Sequence, residues 1–153
     1  MQGISILGRS LVLVAGLLLG AGLGLGSAPA NAAKFSGPLA KTIAKGKHIF
    51  THDSFGGRGM TCASCHTAAG TGPTVVPGQN MKGPTLNNAA AIFPKYKQRN
   101  GKVITLADQI HGCIAGAMGG QPPAYSSDKM RALVTYLTSL SEGKTIEMGG
   151  KLK

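Results

Sequence analysis

Within Cys62-Ala63-Ser64-Cys65-His66 two thiols and an imidazole fall inside five consecutive positions. Two thiols three positions apart can add to the two vinyl groups along one edge of a porphyrin, and the histidine that follows then stands under the iron. This is the attachment pattern of c-type haem. The segment predicts one covalently attached haem c, with Cys62 and Cys65 as the thioether anchors and His66 as the proximal axial ligand of the iron. Other chemistry available to a Cys-x-x-Cys pair fits less well. A thioredoxin-like redox pair needs a βαβ setting that this loop-rich chain lacks. A structural zinc site would recruit His111 and Cys113 beside Cys62 and Cys65, leaving His66 idle. A plain Cys62–Cys65 disulfide would leave the histidine and the long loops unexplained.

Two residues compete for the second axial position. Met118, followed by Gly119-Gly120 and Pro122-Pro123, is the expected thioether ligand of a soluble electron carrier. Cys113 is the only cysteine outside the attachment motif, and an unpaired cysteine in an oxidising compartment calls for a reason. As a small hydrophobe on a helix it would need none. His48 and His52 fall at the end of a helix, where a cation favours the dipole, and His111 lies off its helix's apolar face. No residue earns a catalytic role from the pattern alone.

The elements that must position these groups are short helices and long loops. Aromatic residues make up 5% of the chain, Trp is absent and Gly occurs 24 times, a thin supply for a core that a bound cofactor would supplement. Pro38 to Phe50 reads as a first helix with Leu39, Ile43, Ile49 and Phe50 on one face. Gly46 inside it costs about 1 kcal/mol against Ala, which points to another element crossing closely there. The stretches Thr51 to Thr61 and Ala68 to Pro84 are too rich in Gly and Pro for regular structure, and loops of this length in a compact domain wrap something. A short helix is expected around Asn87 to Ile92 and a turn at Asn100-Gly101. Thr105 and Asp108 form a capping box for a helix whose apolar face is Leu106, Ile110, Cys113, Ile114 and Ala117. The last helix is capped at Ser126 or Ser127 and carries Met130, Leu133, Val134, Leu137 and Leu140 at helical spacing. Strand signals are weak, and the tail from Lys144 is expected to be mobile. The fold class is therefore all-α, with cytochrome c-like helices and long loops wrapping one covalent haem.

Residues 1–32 read as a cleaved signal peptide: Arg9 is the single charge, an apolar run from Leu11 to Leu25 follows, and Ala30-Asn31-Ala32 supplies small residues for cleavage. The apolar run is shorter than the roughly 20 residues of a spanning helix. Residues 33–153 then form one soluble haem domain exported to the periplasm. The sequence has 16 basic residues against 5 acidic ones and a formal net charge of +11. The basic residues are scattered, without a basic helix or interleaved aromatics, which argues against nucleic acid. The expected partners are redox proteins, donors and acceptors with acidic docking faces, and anionic membrane surfaces.

Gly46 and Phe50, the attachment motif, and Tyr136 on the last helix together resemble the class I cytochrome c fold, in which the first and last helices cross at a small residue. Phe93-Pro94, Tyr96, Arg99, Gly101, Val103, Thr105-Leu106, Asp108, Gly112-Cys113, Met118, Gly120, Met130, Ala132-Leu133, Tyr136, Leu140-Ser141 and Gly143 are more specifically similar to the haem domains of bacterial thiosulfate dehydrogenases and the related Sox A subunits. That resemblance implies that the residue matching Cys113 is the thiolate ligand of a catalytic haem, and that the substrate is a sulfur anion such as thiosulfate. The chain departs from the family in carrying one attachment motif where two haem domains are usual, and in having Ile114-Ala115-Gly116-Ala117 where more polar residues stand. The single motif favours an electron carrier in a respiratory chain, iron- or sulfur-oxidising. The alternative is a sulfur-oxidising haem enzyme or subunit.

Acid and organic solvent should strip no haem from the polypeptide, and mass spectrometry should give the chain from about Ala33 plus one haem, the residue the cleavage pattern selects. Cys65→Ala should weaken or abolish maturation. A haem-free or zinc-containing product would contradict this reading.

Overall fold

Pro38 stands in the first turn of α1, where its missing N–H costs nothing, and the helix runs Gly37–His52 with Gly46, Ile49 and Phe50 buried. The computed structural model describes residues 34–153; the expected leader lies outside the described residues. After α1 come two antiparallel two-stranded ladders, β1 (Thr74–Val75) with β2 (Lys82–Gly83) and β3 (Lys95–Lys97) with β4 (Lys102–Ile104). Helix α2 spans Leu106–Ala115 and α3 spans Asp128–Leu140. Single 3-10 turns cover Cys62–Ser64, Ala68–Gly70, Ala90–Ile92 and Gln98–Asn100. The fold is predominantly helical, as the sequence predicts, and the strands are short additions to it.

The caps explain the helix bounds. Thr105 accepts from the Asp108 N–H while the Asp108 carboxylate accepts from the Thr105 N–H, the reciprocal pair of a capping box. Ser127 accepts from the Met130 N–H at the start of α3. Helix α2 ends one turn before Met118, because Gly116 to Gly120 turns away and Arg58 donates to the Gly116 and Ala117 carbonyls at 3.2 and 2.9 Å. A guanidinium there satisfies orphan carbonyls at the negative end of the helix dipole.

Helices α1 and α3 pack so closely that a Cβ on Gly46 would stand 2.0 Å from the Ala132 carbonyl oxygen. Phe50 meets Tyr136 edge-on with ring centroids 5.5 Å apart. The core continues through Ile114, Met130 and Leu133, each 1% exposed or less.

Two expectations are corrected here. The segment Ala68 to Pro84, expected to be an ordered loop without regular structure, contains the β1–β2 ladder, and the Asn100-Gly101 turn joins β3 to β4. Neither ladder has enough alternating residues to register as a strand pattern. The tail expected to be mobile is strapped to the 85–92 loop. Glu147 and Gly149 donate to the Ala91 and Ile92 carbonyls, Thr85 N–H donates to the Lys153 carbonyl, and the buried Asn88 amide bonds both Lys151 and Lys153. Backbone pairing of this kind is invisible to side-chain periodicity.

The crossing yields a sharp prediction. Gly46→Ala gains about 1 kcal/mol of helix propensity, but the helices must separate or bend to admit the methyl group, at a cost of about 3 kcal/mol or more. The clash wins. Thermal denaturation should show a midpoint lowered by about 5 °C or more; an unchanged midpoint would mean that the crossing is looser than described.

Candidate functional site: a two-sided cavity at Cys113

The 3-10 turn at Cys62–Ser64 and the His66 that follows it are pressed against α1. The His66 and Phe50 ring centroids are 6.3 Å apart, and the Phe50 ring in turn rests on Tyr136. The Tyr136 hydroxyl donates to the Ala69 carbonyl and so closes the loop after the motif onto α3. Burial holds the His66 imidazole below its ordinary pKa.

An apolar cavity of about 260 Å³ opens at this point, and Cys62, His66 and Cys113 all line it. Phe50, Leu86, Ile110 and Leu137 supply hydrophobic wall, and Leu152 from the C-terminal strap covers one side. Cys65 and Met118 are not among its lining residues. The Met118 side chain is 5% exposed and belongs to the core cluster with Phe55. Its carbonyl accepts from the Arg58 N–H at 3.0 Å, which ties the residue to the 55–58 loop. Burial first, and the neighbouring Cys113 thiol second, push the Cys62 thiol up to about 12. Such a lining disfavours ionisation of Cys62 and suits a largely apolar group.

Cys113 also faces a second space. An open groove of about 480 Å³ is lined by the basic Lys97 and Arg99, by Asn100, Gln109 and Cys113, and by the small residues Gly112, Gly116 and Ala117, so Cys113 and Gln109 stand between the apolar cavity and a groove with two cations on its rim. The Gln109 Nε2 amide donates to Cys113 Sγ at 3.1 Å, and the Lys97 ammonium donates to Gln109 Oε1 at 2.9 Å. Two hydrogen bonds thus connect the Lys97 cation to the Cys113 sulfur through the Gln109 amide. Gln109 was not singled out in the sequence; its position four residues before Cys113 on one helix face was the signal available.

The remaining histidines stay apart from the cavity. His48 and His52 stack on each other at the end of α1, and His111 stacks on Tyr125. Among the described residues no group of three or more His, Cys, Asp or Glu side chains comes together as a metal site, so the zinc cluster considered with His111 does not form.

The profile of the SoxA/TsdA cytochrome c domain matches residues 45–146. The chain belongs to this family. Thiosulfate dehydrogenase of Stutzerimonas stutzeri is 31% identical over 120 residues, covering 75% of this chain and 34% of the relative. The SoxA subunit of L-cysteine S-thiosulfotransferase from Rhodovulum sulfidophilum is 29% identical over 93 residues, 61% of this chain and 28% of the relative. The thiosulfate dehydrogenase TsdBA of Marichromatium purpuratum superposes with a TM-score of 0.58 at 25% identity, over 75% of this chain and 25% of that one. The chain spans between 24% and 43% of the length of the curated relatives it matches. Members of the SoxA/TsdA cytochrome c family bind covalently attached haem c, and this chain is a haem c electron-transport protein of that family.

The residues around the cavity fit the group. Cys62 and His66 come from the motif side and Cys113 from the α2 side, with apolar wall between them. Cys113→Ser should change the ferric spectrum of the holoprotein, and Met118→Leu should leave it unchanged while lowering stability. The reverse pattern would make Met118 the ligand.

Proposed function

We propose that this chain passes single electrons in periplasmic sulfur oxidation, exchanging them with a sulfur anion of the thiosulfate class. In this reading Cys62 and Cys65 hold the haem, and His66 and Cys113 are its axial ligands. The observation that carries it is the double exposure of Cys113, which lines the apolar cavity with His66 and the open groove with Lys97 and Arg99. The similarity to thiosulfate dehydrogenases and SoxA subunits supports the same substrate class.

The haem, when bound, supplies a one-electron acceptor and donor. The chain's own residues do the rest. The Arg99 guanidinium and the Lys97 ammonium draw an anion toward the Cys113 side, and Arg presents paired donors suited to an oxyanion. Gln109 donates to the Cys113 sulfur and fixes its orientation, and the hydrophobic wall keeps bulk water from the other side. Export through the leader at residues 1–32 belongs to the proposal; among the described residues no helix is long and apolar enough to cross a membrane.

A carrier role alone is the second reading, favoured by the large excess of basic residues, 16 against 5 acidic in the full sequence. A strongly positive surface steers docking to redox proteins with acidic faces and makes the rate fall with salt.

A steady-state assay of the holoprotein with thiosulfate and an artificial electron acceptor separates the two. The sulfur reading expects turnover, and Arg99→Gln should raise KM by about tenfold or somewhat more, the loss of one charge-assisted hydrogen bond of about 1.5 kcal/mol. Absence of thiosulfate-dependent reduction, with fast salt-sensitive exchange to an acidic redox protein, would leave the carrier reading.

A further inference from the structure

The β1–β2 ladder pairs only Thr74 with Gly83 and Val75 with Lys82, and neither Thr74 nor Val75 is buried. Two residue pairs with so little apolar burial contribute little to stability, so the ladder calls for another reason. It is anchored to the haem-attachment segment. The Val75 N–H donates to the Cys65 carbonyl at 2.8 Å, and His66 and Thr74 form an isolated antiparallel bridge.

The His66 ring is hydrogen-bonded through Nδ1 to Thr74 Oγ1 at 3.0 Å. The same hydroxyl lies 2.6 Å from the Pro84 carbonyl oxygen, which also accepts from the Thr74 N–H at 3.2 Å. A carbonyl oxygen only accepts, so the single hydroxyl proton of Thr74 goes to Pro84. Thr74 Oγ1 therefore turns a lone pair toward His66, so Nδ1 is the donor of that hydrogen bond, and Nε2 is the nitrogen left to serve as a metal ligand.

We propose that Thr74 is a positioning residue for the His66 ligand, fixing its tautomer and ring angle and lowering the reduction potential of the haem through the Nδ1–Thr74–Pro84 chain. An imidazole that donates from Nδ1 to a good acceptor becomes more basic at Nε2, and the partners of ligating histidines tune the metal in this way. A hydroxyl that is itself donating is a better acceptor than an isolated one, because successive hydrogen bonds polarise each other. More electron density at the iron stabilises the ferric state. Removing the hydroxyl should favour the ferrous state.

The inference goes beyond the sulfur-anion reading and does not depend on it, since neither Cys113 nor the groove at Lys97 and Arg99 enters. The test is a potentiometric titration of purified holoprotein, with Thr74→Val as the near-isosteric variant lacking the hydroxyl and Thr74→Ser as the variant retaining it. At the native midpoint Thr74→Val should hold a several-fold excess of ferrous over ferric protein, and the iron–imidazole stretch of a ferrous five-coordinate form should move to lower frequency by resonance Raman. Thr74→Ser should titrate like the native protein. If Thr74→Val does not accumulate with haem, Thr74→Ala is read in the same way. A midpoint unmoved in the variant lacking the hydroxyl, or moved equally in Thr74→Ser, would overturn the proposal.

Discussion

The contact on which the rest depends is the crossing of α1 over α3 at Gly46, where hydrogen replaces a side chain because the Ala132 carbonyl already fills the space. That approach lets Phe50, one turn further along α1, meet Tyr136 on α3. Phe50 then stands against His66, while the Tyr136 hydroxyl reaches the Ala69 carbonyl. A single helix crossing thus fixes both ends of the segment that follows the attachment cysteines. The turns after the attachment cysteines and the β1–β2 ladder then continue the backbone pairing from this contact outward.

Cys113 gains its interest from being on a partition. Ile114, the next residue, is 0% exposed and locks α2 into the core, which leaves Cys113 at the half-buried edge of the same helix. From there it faces an apolar cavity on one side and an open groove with Lys97 and Arg99 on the other. Met118, the alternative ligand, falls beyond the end of α2 and packs into the core instead. Its carbonyl is held by the backbone of Arg58, whose side chain caps the helix just before it. Helix termination therefore sorts the two sulfurs: one remains at the cavity wall and the other is consumed as core.

Much of this was legible in the sequence because it rests on local pattern. Gly46 in an apolar helix face announced the crossing, Thr105 with Asp108 announced the start of α2, and Met130, Leu133 and Leu137 announced the buried face of α3. The attachment motif needed no structure to be read. What escaped was pairing between segments, by backbone and by side chain. The Thr74–Gly83 ladder, the strap from Glu147 to Lys153 and the Lys97–Gln109–Cys113 relay join residues whose side-chain types carry no periodic signal. The choice between Cys113 and Met118 escaped for a related reason, since periodicity places Cys113 on the inner face but does not say where the chain turns after Gly116.

The central proposal is that His66 and Cys113, which line one cavity, would together hold the iron. The electron paramagnetic resonance spectrum of the oxidised native holoprotein tests it most directly. A thiolate opposite imidazole predicts a low-spin signal with narrow spread of g values and no far-red methionine-to-iron absorption band. A broad low-spin signal accompanied by that band would contradict the account.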